Sequence, residues 1–203
     1  MKTQGSAPER RPYLKTIRAD AEAATHEAIL NAAFEAFSTS SFDRVTLKQI
    51  AERSGVTVQT VIRRFGSKEE LFEQLAQREE RRIVAEREIP ESAGLSRALE
   101  SLLDHYERDG DTMTNFVAQE NLFEPIRVIV ERGRKTHRAW VERHCRHLLS
   151  GLRGRAKERM TLAATVATDL STWKLLRRDL KQEPAQVAEV MTELLYGLQN
   201  RRM

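Results

Sequence analysis

The chain contains 203 residues, of which 40% are hydrophobic and 32% are charged, and these values fit one or two ordinary globular domains. The single cysteine, Cys145, excludes an internal disulfide framework, and every apolar run is shorter than the roughly 18 residues that a membrane span requires. The net charge of +4 is too small to indicate a nucleic-acid partner by itself. With only 9 Gly and 5 Pro, the composition predicts an all-α protein. The single cysteine indicates a reducing compartment.

The chain begins with a basic segment and becomes periodic only at residue 25. We therefore predict a flexible basic arm over 1–24, followed by a first helix over 25–37, where apolar residues recur at helical spacing. The pair Arg10-Arg11 is not followed by the apolar stretch of a twin-arginine export signal. We expect the chain to remain in the cytoplasm.

Two short helices are predicted next. Thr46 begins one of them, because Thr46 and Gln49 have the spacing of a capping box, in which each side chain accepts from the backbone N–H of the other residue. Gly55 then allows a sharp turn, since glycine adopts the left-handed conformation without a Cβ penalty. Thr57 caps the following helix. Two helices joined by such a turn form a helix-turn-helix motif at about 46–65, whose second helix fits a major groove of DNA.

A long fourth helix and a helical body are predicted after this motif. The capping-box pair Ser67 and Glu70 opens the fourth helix, and a linker follows at Ile89-Pro90. Beyond it, Gly and Pro residues punctuate five periodic segments. These are 95–108, 111–121, 124–151, 156–182 and 184–201. The expected domains are therefore a motif-bearing domain over 25–85 and a helical domain over 90–203.

The positive charge is concentrated at the helix-turn-helix motif. Between Arg44 and Lys68 the chain carries six cations and one acid, Glu52, which is a net +5 and leaves −1 for all other residues. A local excess of this size is typical of a surface that binds phosphates. The near-neutral total conceals it.

Three stretches of this region resemble the N-terminal domain of the tetracycline-repressor (TetR) family. The apolar stripe of the first helix, a threonine cap, an Ile-Ala pair, a Gly-Val turn and a Phe-Gly-Ser-Lys-Glu-Glu-Leu junction occur in that order. The three stretches are 25–37, 45–57 and 65–72, and the similarity covers about 25–85 without a gap. A weaker similarity, to a stretch late in the C-terminal domain of many members, covers 173–180.

The resemblance implies a homodimeric transcription regulator, usually a repressor, that binds a double-stranded DNA operator. It also implies that an unknown small-molecule effector binds the C-terminal domain and releases the operator. By position, the helix from Thr57 to Arg64 supplies most DNA contacts, while Val56 and Val61 are buried. The expected DNA-binding residues are Thr46, Lys48, Thr57, Val58, Gln59, Thr60, Ile62, Arg63, Arg64 and Lys68.

Side-chain chemistry divides this set into two groups. Gln59 suits adenine and Arg63 suits guanine, because each side chain makes a bidentate contact to the edge of that base. Lys48 and Arg64 are expected to meet phosphates instead. Lys68 occupies a family position that commonly contacts a phosphate, and the positive end of its helix favours such a contact.

Two positions near the DNA stay open. Ile62 stands where a tyrosine is common in the family, so it either contacts thymine methyl groups or packs inward without touching DNA. Val58, Arg63 and Arg64 also depart from the usual pattern. On the arm, Arg10 and Arg11 either enter an adjacent minor groove or belong to an idle tail.

The last two predicted helices are more apolar than one packing face requires. The surplus indicates a partner subunit or a purely internal core, and the resemblance favours a four-helix dimer interface with two helices from each protomer. The expected interface residues are Leu162, Val166, Leu170, Val187, Met191, Leu194 and Leu198. A symmetric dimer requires a palindromic operator whose half-sites lie about one turn, ~34 Å, or a multiple of it apart.

An effector pocket is expected among helices four to eight. Its candidate lining residues, which are otherwise ordinary core or surface residues, are His105, Met113, Phe116, Gln119, Phe123 and Trp140. Asn115 is a further candidate polar anchor.

Three histidines, His137, His144 and His147, surround Cys145 at helical spacing. Five arginines between 132 and 146 would repel a cation there, so we expect neither a metal nor a cofactor. The same arginines favour a reactive thiol sensor or an anionic effector, the alternative being an ordinary core or surface cysteine.

Two other classes of protein compete with a ligand-gated regulator. One is an architectural DNA-binding protein that has no effector. The other is an enzyme with its active site in the helical domain, but the chain has no Gly-x-Ser-x-Gly elbow, phosphate loop or His-Glu-x-x-His motif. We therefore expect a regulator associated with the nucleoid and not an enzyme.

Overall fold

The computed structural model describes the backbone of residues 10–200 and the side chains of residues 19–198. The described part is built of helices, which confirms the predicted all-α fold. The chain divides into two compact units, Met1–Leu75 and Ala76–Met203. No helix within the described part is long and apolar enough to cross a bilayer.

The first unit contains three helices and the start of a fourth. The helices are α1 (Arg10–Thr39), α2 (Leu47–Ser54), α3 (Val58–Phe65) and α4 (Lys68–Glu86). The division between the units lies within α4 and not at the linker expected near 85–90. The reason is that Leu71, Phe72 and Leu75 are buried in the first unit, whereas later residues of α4 belong to the second.

Helix α1 corrects the prediction of a flexible arm over 1–24. It begins at Arg10, so the backbone of 10–24 is helical. Four of the six residues in 19–24 are alanines, the strongest helix former, and a helix anchored by buried apolar residues propagates easily into such a segment. Residues 1–9 and the side chains of Arg10 and Arg11 lie outside the described part.

Aromatic packing holds the first unit together. The rings of Phe37 in α1, Phe42 in the following loop and Phe72 in α4 form one cluster with centroid distances of 4.8–5.6 Å. Ile50 of α2 and Val61 of α3 are fully buried. The two short helices therefore depend on this core for their positions.

The second unit contains the end of α4 and six further helices in the described part. They are α5 (Gly94–Gln119), α6 (Glu124–His144), α7 (Arg146–Leu149), α8 (Gly154–Thr168), α9 (Leu170–Lys174) and α10 (Pro184–Asn200). A 3₁₀ turn, Glu91–Ala93, precedes α5, and a π-helical turn, Leu175–Asp179, follows α9. The core of this unit is centred on the fully buried Trp173.

The predicted segment 124–151 is interrupted at Cys145, between α6 and α7, and two further predicted helix boundaries are wrong in this unit. Gly110 does not end a helix but lies inside α5, where the ring of Trp173 packs against it. The predicted helix over 156–182 is broken at Asp169, whose carboxylate accepts from the backbone N–H of Ser171 (2.8 Å) and caps α9. In both cases a tertiary or capping contact decides the boundary.

Replacing Gly110 by alanine should destabilise the protein by about 1–3 kcal/mol, because the new Cβ would lie 2.4 Å from a Trp173 ring carbon. Gly133 in α6 is the control, since a Cβ there meets no heavy atom within 4 Å. Gly133→Ala should stabilise by up to about 1 kcal/mol. Urea unfolding of both variants measures the two changes, and equal changes would contradict the close packing of Trp173.

Candidate functional site

The helix-turn-helix motif has the local structure that its sequence predicts. Thr46 Oγ1 accepts from the backbone N–H of Gln49 (3.2 Å), and Gln49 Oε1 accepts from the backbone N–H of Thr46 (2.9 Å). Gly55 ends α2 in the left-handed conformation, with φ of +69°. Thr57 caps α3 by accepting from the backbone N–H of Thr60 (3.2 Å). Caps at both N-termini thus fix where the two short helices begin.

One face of α3 is buried and the other is exposed. Val61 and Phe65 point into the core, so Gln59, Ile62 and Arg63, which share the opposite face at i, i+3 and i+4 spacing, are exposed. Ile62 is 41% exposed, and the interpretation in which it packs inward is therefore wrong. The exposed face offers an amide, an aliphatic group and a guanidinium side by side.

Two of the expected phosphate contacts also bind within the protein. Arg64 Nη1 donates to the backbone carbonyl of Glu22 in α1 (3.1 Å). Lys68 Nζ donates to the carbonyl of Phe42 (2.9 Å) and lies 4.5 Å from the centroid of its ring. These bonds hold the helices of the motif to the rest of the unit, a role that the sequence did not indicate.

The remaining expected DNA-binding residues surround this face. Thr46, Lys48 and Thr57 are exposed, whereas Val58 and Thr60 are half-buried. The single acid of this region, Glu52, pairs with Lys48 at 3.9 Å, and both side chains are largely exposed. Water screens such a pair strongly. The local excess of positive charge therefore persists at the surface.

The six expected effector-pocket residues do not form one cluster. His105 and Trp140 are buried and Met113 packs against the core. Gln119, however, lies about 21 Å from His105 along α5 at 1.5 Å per residue, and its side chain donates to the Asn115 carbonyl (3.1 Å). Phe116 and Phe123 are half-buried.

The structure separates the residues of the predicted histidine and cysteine group. His147 is exposed, whereas His137 is buried and its Nε2 lies 3.1 Å from Thr168 Oγ1. Cys145 is fully buried, and this burial raises its pKa to about 12. The thiol-sensor interpretation is therefore wrong, because a sensor needs an accessible thiolate. Among the described residues, no three His, Cys, Asp or Glu side chains are placed to hold a metal ion.

The expected dimer-interface residues fall into three groups: buried, partly buried and exposed. Val187 and Met191 are buried in the core of their own protomer, so they are not available to a partner and this part of the prediction is wrong. Alternate faces of an apolar helix serve different contacts, and its sequence alone does not distinguish them. Leu170 and Leu198 pack partly on the same core. The exposed members are Leu162, Val166 and Leu194.

Comparison with known proteins gives a sequence match for the first unit and a structural match for most of the chain. The sequence of residues 29–75 matches the family model of bacterial regulatory proteins, tetR family. Among curated proteins, none matches the chain at a significant level. Similar solved structures, at low sequence identity, cover most of the chain and share its fold.

Three of these structures come from two organisms. A transcriptional regulator from Rhodococcus sp. Rha1 has a TM-score of 0.67 at 17% identity, covering 86% of this chain and 96% of that one. A TetR-like transcriptional regulator from Rhodococcus sp. RHA1 has a TM-score of 0.64 at 20% identity, with coverages of 85% and 93%. A tetR-family transcriptional regulator from Streptomyces coelicolor has a TM-score of 0.63 at 21% identity, with coverages of 85% and 80%.

Substitutions on the exposed face of α3 should change sequence preference. Gln59→Ala and Arg63→Ala should each cost about 1–3 kcal/mol on the preferred duplex and relax selectivity at one base pair. Lys48→Ala and Lys68→Ala should instead weaken binding to all duplexes and lower the slope of log K against log salt by about 1. Fluorescence anisotropy across a salt series measures both effects. An unchanged slope for Lys68→Ala would contradict its phosphate contact.

Proposed function

We propose that this chain, a DNA-binding transcriptional regulator whose residues 29–75 belong to the tetR family, is a homodimeric repressor. It binds a palindromic operator and leaves it when a small-molecule effector binds the second unit. The observation that carries the proposal is the exposed face of α3, which presents Gln59, Ile62 and Arg63 within a strongly basic surface. A chain with this role works at the nucleoid, and no chemical reaction is assigned to it.

Direct readout is assigned to the exposed face of α3. Gln59 reads adenine, Arg63 reads guanine, and Ile62 contacts thymine methyl groups. Phosphate contacts come from Lys48, from the remaining N–H groups of Lys68 and from the positive N-termini of the capped helices. The phosphate contacts thus provide affinity, and the contacts to base edges provide selectivity.

Dimerisation is assigned to an exposed apolar surface on α8 and α10. Leu162 and Val166 lie four residues apart on one face of α8, and Val166 is 66% exposed. Leu194 of α10 is also exposed, and α8 and α10 pack against each other. A contiguous exposed apolar surface of this kind favours a partner, and the same surface on a second copy gives a two-fold symmetric dimer.

Release of the operator is assigned to a movement of α4. This helix starts at Lys68 and its last turns are tied to α5, since Arg82 Nη2 donates to Asp109 Oδ2 (2.9 Å) and Arg108 pairs with Glu86. An effector that displaces the end of α4 would therefore move its beginning as well. In a dimer such a movement changes the spacing of the two α3 helices.

Selection from random duplexes at moderate salt tests the regulator proposal. The full-length protein should enrich one palindromic sequence whose half-sites are about one helical turn, or a multiple of it, apart. Gel-shift titration of the enriched duplex against a scrambled duplex of equal length then measures specificity. Equal affinity for both duplexes would support an architectural DNA-binding protein instead.

Disrupting the exposed apolar surface should produce monomers. Val166→Asp places a charge in the proposed interface, where its burial without a partner is costly. Leu122→Asp is the control, because Leu122 is equally apolar and exposed but lies between α5 and α6. Sedimentation velocity should show a dimer for the control and a monomer with weakened operator binding for Val166→Asp. A dimeric Val166→Asp protein would contradict this interface.

A further inference from the structure

A buried cation lies at the end of α4. Arg87 follows the last residue of the helix, Glu86, and its backbone N–H still donates to the carbonyl of Ile83 (3.0 Å). Its side chain is only 9% exposed. The guanidinium carbon lies 5.6 Å from the centroid of the Trp140 ring. The ring face stabilises the positive charge of the guanidinium.

No carboxylate pairs with Arg87 among residues 19–198. Its Nε and Nη2 atoms are buried and have no hydrogen-bond partner there. Asp109, the buried carboxylate of this unit, is engaged by Arg82, His105 and Arg108 instead. Arginine remains charged in proteins, and a buried charge with unsatisfied N–H groups is costly. Folding alone gives no reason for this arrangement.

The two unpartnered atoms of Arg87 have a specific geometry. Nε–H and one Nη2–H bond point in parallel from the same edge of the planar guanidinium. This edge matches the two oxygens of a carboxylate, which accept both bonds at once. At the surface of the same unit Arg178 makes this pair of bonds, since its Nε and Nη2 donate to the two carboxylate oxygens of Asp111 (2.7 and 3.1 Å). Arg87 offers the same two donors inside the protein.

Two buried imidazoles present acceptors in the same unit. His105 Nδ1 donates to Asp109 Oδ2 (3.0 Å), because a carboxylate only accepts, and its buried Nε2 has no partner within the described residues. Thr168 Oγ1 donates to the Ala164 carbonyl (2.8 Å), so it accepts from His137 Nε2. The Nδ1 of His137 is likewise buried and unpartnered in this part of the chain.

Both imidazoles are neutral near pH 7. Burial, with a smaller contribution from the charge of Arg87, lowers the pKa of His105 and lowers the pKa of His137 to about 4. The Trp140 ring joins Arg87 to His137, since its centroid lies 5.6 Å from the guanidinium carbon of Arg87 and 5.9 Å from the centroid of the His137 ring. A neutral imidazole that donates through one nitrogen accepts through the other. The cluster therefore combines two parallel donors of positive charge with two neutral acceptors.

We propose that the anion cluster, formed by Arg87, His105 and His137, binds a small organic acid through its carboxylate and an accompanying hydroxyl group. The carboxylate accepts from Nε and Nη2 of Arg87, and the hydroxyl donates to an imidazole nitrogen. The proposal rests on the proposed function, since this acid is the effector. Because Arg87 directly follows α4, capture of the carboxylate acts on the end of the helix that begins at Lys68.

Removing the cation tests the proposal without knowledge of the natural ligand. Arg87→Met keeps much of the side-chain volume and removes the unpaired charge. It should raise the melting temperature of the free full-length protein by about 2–4 °C, which is the shift expected for about 1 kcal/mol in a chain of this size. Arg138→Met is the matched control on the exposed side of α6 and should not raise it. A lower melting temperature for Arg87→Met would mean a structural role and would overturn the proposal.

Binding of matched probes tests the ligand class. Calorimetry of the full-length protein would compare glycolate, lactate, 3-hydroxybutyrate and 2-hydroxybenzoate with the corresponding amides. The four acids differ in size, so the test does not depend on whether one particular acid fits the site. At least one carboxylate should bind about 10- to 100-fold more tightly than its amide. Arg87→Met should lose this preference, while Arg138→Met should keep it. No preference for any carboxylate would overturn the proposal.

Release of the enriched operator duplex by compounds of different charge distinguishes failure of the anion cluster from failure of the proposed function. A neutral or cationic compound that releases the operator, when no carboxylate binds, would disprove the anion cluster and leave the regulator intact. Failure of compounds of every charge to release the operator would disprove the effector response itself. Release by a hydroxy acid in the wild type, and its loss in Arg87→Met, is the expected result.

Discussion

Burial of Val61 and Phe65 fixes the face that α3 presents to solvent. A helix of eight residues is unstable alone, and its stability must come from packing and from its ends. The core of this unit contains a cluster of three aromatic rings, Phe37, Phe42 and Phe72. Once the inward face is fixed, the side chains that remain outside are determined, and the proposed reading of base edges depends on them.

In the second unit, a buried charge and not a buried apolar side chain is the distinctive feature. Several of its surface charges are paired, as Arg134 is with Glu120, and each exposed pair contributes little to stability. Inside, Arg87 is unmatched, which favours unfolding unless an anion compensates it. A ligand that binds only the folded protein offsets this cost and stabilises it by mass action. The unpaired charge of Arg87 is thus the place where a bound anion would stabilise the folded protein most.

Local signals in the sequence predicted the first unit well. The caps at Thr46 and Thr57 and the glycine turn act within a few residues, and these elements and the TetR resemblance are confirmed. Features set by distant contacts were missed. Gly110 is predicted to separate two helices because the ring of Trp173 is far along the chain. Val187 looked available to a partner, since periodicity does not reveal which apolar face is internal.

In the proposed regulator, α3 reads base edges in the major groove. Methylation interference tests this assignment directly, because a methyl group on guanine N7 lies in that groove and blocks a bidentate arginine contact. With the selected operator, methylation of guanines in both half-sites should prevent binding, and the two clusters should be separated by about one helical turn or a multiple of it. Undiminished binding to a duplex methylated throughout its major groove would contradict the assigned role of α3.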